Sequence, residues 1–361
     1  MQRVTVFAAA LALCAGSTAY AQDYAPTEDA QDKDAKKLTI GDTAPPIDIA
    51  HWIKGDKIDE FESGKVYVVE FWATWCPPCR ASMPHLSKLQ EQYTDYDVTF
   101  IGVSDEDLQT VISFLFKEDK KDGVIQNERT RYTLTTDPDQ SVKNDYFRAA
   151  GQRGIPTAFI IGKDTKVEWI GHPMEMDEPL EAVVKDTWDR AGFKELLNLR
   201  KELRAALDNG DHERAMSVLD KLVNIDPDAA NNYRRTKFNL LLTTLNQPTK
   251  AYEIGRELIR SSWDSAQLLN DIAWFVVDDQ TVQTRDLEFA LKAARRATEL
   301  SEQKDTAILD TLARVYYEKG DVKSALKWQR LAAQTLSDDD PFADDVREAL
   351  KKYQQEVDSE I

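Results

Sequence analysis

The chain has 361 residues, 42% of them hydrophobic, which suits two or three domains with real cores rather than one. Its formal net charge of −18 argues against nucleic acid, whose phosphates need a basic surface, and against capture of anionic lipid by charge alone. Charged residues make up 30%, and an acidic balance of this kind serves solubility without requiring a basic partner.

The first residues read as a secretory signal peptide spanning residues 1–21. Arg3 supplies a positive start, residues 4–15 are apolar and uncharged, and Ala19-Tyr20-Ala21 is a small-x-small cleavage pattern ahead of Gln22. The apolar run is too short for a stable anchor, and no later stretch approaches 18 uncharged apolar residues, so no stable membrane span is expected. Leu11-Ala12-Leu13-Cys14 offers a rival reading as an acylation site, but Leu13 stands where that signal takes a small residue. Cleavage would remove Arg3 and Cys14, leaving a net charge of −19 and two cysteines, Cys76 and Cys79.

Residues 22–37 are polar and charged without apolar period, the composition of a disordered spacer. Structure is expected to begin near Leu38. Four β-type runs follow, at 66–69, 98–103, 157–161 and 166–170, with Lys163-Asp164 as the turn of an antiparallel hairpin between the last two. Helices are expected to start near Pro77, Asp105, Asp139 and Glu178. This alternation over residues 38–192 predicts an α/β domain with helices on both faces of the sheet.

From residue 193 to 361 the β signals disappear and an all-α pattern repeats itself. Asn209-Gly210-Asp211 leads to Ala215, and Lys319-Gly320-Asp321 leads to Ala325. Ala215, Ala251, Ala290 and Ala325 are separated by 36, 39 and 35 residues. Alanine lets paired helices approach closely, and glycine closes the turn between them. The spacing resembles tetratricopeptide repeats, with degenerate middle copies; an ordinary helical bundle is the alternative.

The segment Phe71-Trp72-Ala73-Thr74-Trp75-Cys76-Pro77-Pro78-Cys79-Arg80 follows a buried-strand pattern and opens a helix. A cysteine at a helix N-terminus faces unpaired N–H groups and the positive end of the helix dipole, and both favour the reactive thiolate. The two-residue spacing brings the second sulfur within reach of the first, and Pro77 fits the first helical turn. So short a loop staples almost nothing, so the pair serves chemistry rather than scaffold. Zinc needs four ligands, and His51, His85, His172 and His212 show no ligand spacing; haem attachment needs a histidine where Arg80 stands. No metal or organic cofactor is implied.

Residues 69–84 resemble thioredoxins, and more closely the exported TlpA-like disulfide reductases associated with cytochrome c maturation. Pro45-Pro46, Gly64-Lys65-Val66, the Cys-Pro-Pro-Cys segment, Pro84, Gly154-Ile155-Pro156-Thr157 and Gly171 match that family in order, so the resemblance spans about residues 38–190. It implies a thioredoxin-like fold and disulfide exchange on other proteins in an oxidising compartment, the periplasm of a bacterium. Cys76 would be the exposed nucleophile and Cys79 the buried resolving thiol. Ile155-Pro156 would be a cis bond beside the disulfide, against the trans bond that is usual for X–Pro. Trp75, Pro77 and Ile155 would contact the substrate, along with Pro156. Glu70 falls where thioredoxins carry a buried carboxylate that moves protons for the resolving thiol; an acid at the solvated end of the strand is the plainer alternative.

The partners implied are protein substrates with thiols or disulfides, an electron-donor protein, and a protein or peptide on the helical repeats. A peroxiredoxin is rejected, because residues 69–73 lack the proline of its Pro-x-x-x-Thr/Ser-x-x-Cys arrangement. A repeat-based periplasmic adaptor or chaperone carrying a redox domain is the alternative from another class.

Overall fold

The computed structural model describes residues 37–119, 122–337 and 340–359. The expected signal peptide, Cys14 and residues 22–36 of the expected spacer lie outside them. The chain divides into two compact units, with the division between Lys194 and Glu195.

The first unit is built on one six-stranded sheet of order β1-β4-β3-β2-β5-β6. Its strands are β1 (His51–Lys54), β2 (Val66–Trp72), β3 (Val98–Ser104), β4 (Thr133–Thr136), β5 (Thr157–Ile161) and β6 (Val167–Gly171). β2, β3 and β4 run parallel, whereas β5 is antiparallel to β2, and β6 to β5. The central strand β2 is buried along its whole length, which explains its near-continuous apolar run. Alternation splits it cleanly. Val66, Val68 and Trp72 join a core with α1 (Pro77–Gln92), α2 (Leu108–Leu115) and α5 (Asp177–Val184). Tyr67, Val69 and Phe71 join the opposite core, with α4 (Ser141–Lys143) and the π-turn Asn144–Arg148 that prolongs it. A short helix α3 (Gln126–Arg129) precedes β4.

Helix α1 starts at Pro77, as expected. The next begins at Leu108 rather than near Asp105, because Asp107 is its cap: the carboxylate accepts the Thr110 N–H at 2.9 Å. Asp105 and Glu106 therefore stay in the loop after β3. Behind the hairpin, the buried Glu168 of β6 accepts a two-pronged hydrogen bond from Arg190, the Nε contact being 2.6 Å, and Arg190 also reaches Asp164 at 2.7 Å.

The second unit is helical. Its elements are α6 (Arg190–Asp208, which starts within the first unit), α7 (His212–Ile225), α8 (Ala230–Asn239), α9 (Pro248–Ser261), α10 (Ala266–Asp278), α11 (Leu287–Leu300), α12 (Thr306–Glu318), α13 (Val322–Thr335) and α14 (Ala343–Ser359). Packing runs mostly between helices adjacent in sequence. Ala215, Ala251, Ala290 and Ala325 lie on α7, α9, α11 and α13, and all are fully buried. Gly210 and Gly320 take φ of 68° and 80°. The aspartate after each caps the next helix, Asp211 accepting from Arg214 and Asp321 from Ser324, both at 3.0 Å.

Candidate active site

Cys76 and Cys79 form a disulfide with their Cα atoms 5.3 Å apart. Cys76 is the N-cap of α1, and its Sγ accepts the backbone N–H of Cys79 at 3.2 Å. Pro77 and Pro78 fill the first helical positions, where an N–H would have no intrahelical partner. Pro84 lies inside the helix.

The expectation that Cys76 is exposed is corrected here. It is 2% exposed and Cys79 is 0% exposed. The carbonyl of Ile155 lies 3.7 Å from the Cys76 sulfur and helps to cover it. A disulfide sulfur has no hydrogen to give, so in the oxidised state this is a contact; once reduced, the thiol can donate to that carbonyl. The Ile155–Pro156 bond is cis, Pro156 is buried, and the Thr157 hydroxyl donates to the Gly154 carbonyl at 2.7 Å, tying the loop to the head of β5. Around this sunken sulfur pair, Pro77 and Pro78 are exposed and Trp75 is 69% exposed.

Glu70 sits mid-strand in β2, not at a solvated end. It is 1% exposed, and neither carboxyl oxygen has a hydrogen-bond partner. Strand alternation puts it on the same face as Val68 and Trp72, under α1, the helix that carries Cys79. Burial pushes its pKa up to about 8, with the Tyr132 hydroxyl drawing it the other way. Tyr132 is buried in the same core, and desolvation together with Glu70's charge holds its phenol well above the usual range.

Two further groups escape a reading of the sequence. Glu106 accepts both the backbone N–H and the hydroxyl of Thr74 at 2.6 Å each, clamping the loop two residues before Cys76. Ser104 steadies the clamp with a 3.0 Å bond to the same carboxylate. The Asp105-Glu106-Asp107 run carries a helix-start signal, and nothing in it marks its middle residue. Tyr132 precedes a strand too short to read, so its place beside Glu70 was likewise hidden. Among the described residues, no three His, Cys, Asp or Glu side chains come together to hold a metal ion, and no helix is long and apolar enough to cross a membrane.

Comparison with known proteins matches residues 40–170 to the AhpC/TSA family. Protein FixW of Rhizobium leguminosarum is 25% identical over 209 residues, covering 54% of this chain and 95% of FixW. The thiol-disulfide oxidoreductase ResA of a Bacillus cereus strain is 30% identical over 138 residues, covering 37% of this chain and 70% of ResA. Among solved structures, a putative thiol:disulfide interchange protein DsbE from Chlorobium tepidum is 24% identical, covering 42% of this chain and all of that one, with a TM-score of 0.32. A relative so similar over so much of its own length decides the family: the chain belongs to the thioredoxin-like AhpC/TSA family, among its thiol–disulfide oxidoreductases.

Proposed function

We propose that this chain is an exported protein-disulfide reductase working through Cys76 and Cys79. The observation that carries the reading is a disulfide-bonded cysteine pair at the head of α1, set against the Ile155–Pro156 loop. In the reduced enzyme the Cys76 thiolate attacks a substrate disulfide. A Cys76–substrate S–S bond forms, and the other substrate sulfur leaves as a thiolate. Cys79 then gives its proton to Glu70 and attacks Cys76. The Cys76–Cys79 bond forms, and the second substrate sulfur departs. Helix-terminal N–H groups favour the Cys76 thiolate, and buried Glu70 is the group under α1 suited to take the Cys79 proton. Trp75, Pro77 and Ile155, with Pro156 of the cis bond behind them, are the residues expected to receive a polypeptide substrate. Return of the enzyme to the dithiol form calls for an electron-donor protein. The reductive direction, and a periplasmic site after cleavage ahead of Gln22, rest on the resemblance and the N-terminal sequence.

The buried alanines and the Gly-Asp turns support a tetratricopeptide-like reading of the helical unit, a protein or peptide being its partner. This keeps the adaptor reading in play, and insulin reduction separates the two. Wild type is expected to reduce insulin and Cys76→Ser to lose that activity; an adaptor would keep its function after the substitution. In the reduced enzyme, iodoacetamide is expected to label Cys76 before Cys79, and faster labelling of Cys79 would reverse their roles.

A further inference from the structure

Three buried polar groups share the core under α1: the Glu70 carboxyl, the Trp72 indole N–H and the Tyr132 hydroxyl, none of them in a hydrogen bond of full geometry, although Tyr132 lies close enough to Glu70 to lower its pKa. Glu70 is paired in register with Ala158 on β5 and Gly102 on β3, the smallest available neighbours on either side. A Cβ at Gly102 would lie 3.0 Å from Trp72 Nε1, 3.1 Å from Tyr132 Cε2 and 2.9 Å from Leu134 Cδ2. The missing side chain therefore lets Trp72 and Tyr132 close over the row that holds Glu70.

Both neighbours are donors, the indole N–H solely so. A neutral carboxyl can do without them, at the cost of leaving polar atoms unmade in an apolar core. An ionised carboxylate cannot, because a buried charge needs charge-assisted hydrogen bonds. We propose that Tyr132 and Trp72 are positioning residues that form a two-donor cradle for the ionised Glu70 carboxylate, readying it to take the proton of Cys79. The step rests on the Glu70 reading given above. The Cys79 S–H bond breaks as the Glu70 O–H bond forms, the Cys79 sulfur bonds to Cys76, and the substrate sulfur leaves Cys76 as a thiolate.

The groups able to disturb this titration are few. Besides Glu70, the buried core over this face holds Cys76 at the head of α1, Cys79 within it, Tyr132 ahead of β4, and Tyr93 at the far end of α1, where Tyr93 answers to burial, Glu181 and Lys185. Ala158 and Gly102 carry no charge. Tyr132 is the neighbour that opposes the effect of burial on Glu70.

The test is single-turnover reduction of a model disulfide by the full chain, with acid trapping of the mixed disulfide, between pH 6 and 9.5. Tyr132→Phe removes one donor and keeps the ring. The midpoint of the resolving step is expected to rise by about one pH unit, the usual worth of a hydrogen bond to a charged group. The rate of attack by Cys76 should not change. In a Glu70→Gln background, Tyr132→Phe should change nothing further. Trp72→Phe removes the other donor and should move the midpoint the same way, so either variant decides if the other fails to fold. An unshifted midpoint overturns the cradle while leaving Glu70 as the relay. Wild-type resolution in Glu70→Gln overturns relay and cradle together.

Discussion

Glu70→Gln should stabilise the oxidised protein, and more so as pH rises. Burial pushes the Glu70 pKa up to about 8 from an ordinary value of 4.5. Between those values the folded state keeps a proton that the unfolded chain has released. The folded state binds more protons there, so stability falls as pH rises. The contribution is fully present below about pH 4.5, is lost through about pH 8, and is level above. Each pH unit is worth about 1.4 kcal/mol, so the change between pH 5 and pH 8 is at most about 4 kcal/mol. Glutamine has nearly the same shape and no such slope. Its advantage over wild type should therefore grow across that interval. Native-state hydrogen exchange of the β2 and β3 amides reads the thioredoxin-like unit alone, and comparing variant with wild type at each pH removes the intrinsic exchange rate. Opening free energies that differ by the same amount at pH 5 and pH 8 would refute a buried, proton-holding Glu70. The same variant should slow resolution of the mixed disulfide by about 10²-fold or somewhat less, the usual worth of a general base.

Glu106→Ala frees the Thr74 N–H and hydroxyl, loosening the approach to Cys76. Insulin reduction is expected to fall about tenfold, the worth of one charge-assisted hydrogen bond, because only part of the lost loop stability is felt at Cys76, and Thr74→Val should cost less; full activity in both would mean that the loop is held by other contacts. Arg190→Ala leaves Glu168 buried without its cation and should cost about 3 kcal/mol in the first unit. Arg190→Lys should restore only part of that, because a single ammonium cannot reproduce the two-pronged bond; thermal unfolding that treats Lys like Arg would contradict this.

The redox pair and strands β2, β3, β5 and β6 are legible in the sequence for local reasons. Strands covered on both faces are near-continuous apolar runs, interrupted by Glu70 in β2 and Glu168 in β6, and Lys163-Asp164 marks a tight hairpin. β1 and β4 are not legible. Each has four residues, and Thr133-Leu134-Thr135-Thr136 shows no apolar alternation, because its pairing is fixed by β3 on one side and β1 on the other. What lies beyond those strands is hidden with them. Tyr132 meets Glu70 only because β4 lies beside β3 and β3 beside β2. The burial of Cys76 has the same origin, since the carbonyl near it comes from a residue 79 positions away. The Glu106–Thr74 clamp spans 32 positions and likewise leaves no local trace.

The two units also differ in how far apart in the chain their contacts lie. In the helical unit each element packs mainly on the next, so its contacts close short loops and can form stepwise. In the first unit, the central strand β2 is flanked by β5, pairing Tyr67 with Ile161 and Val69 with Phe159. The intervening chain must be brought back before that edge of β2 is covered, and loop-closure entropy is spent before the contact forms. Folding of the sheet unit should therefore be the slow phase and folding of the helices the fast one. During the interval, β2 presents a bare apolar edge that a chaperone or a second unfolded chain could reach first.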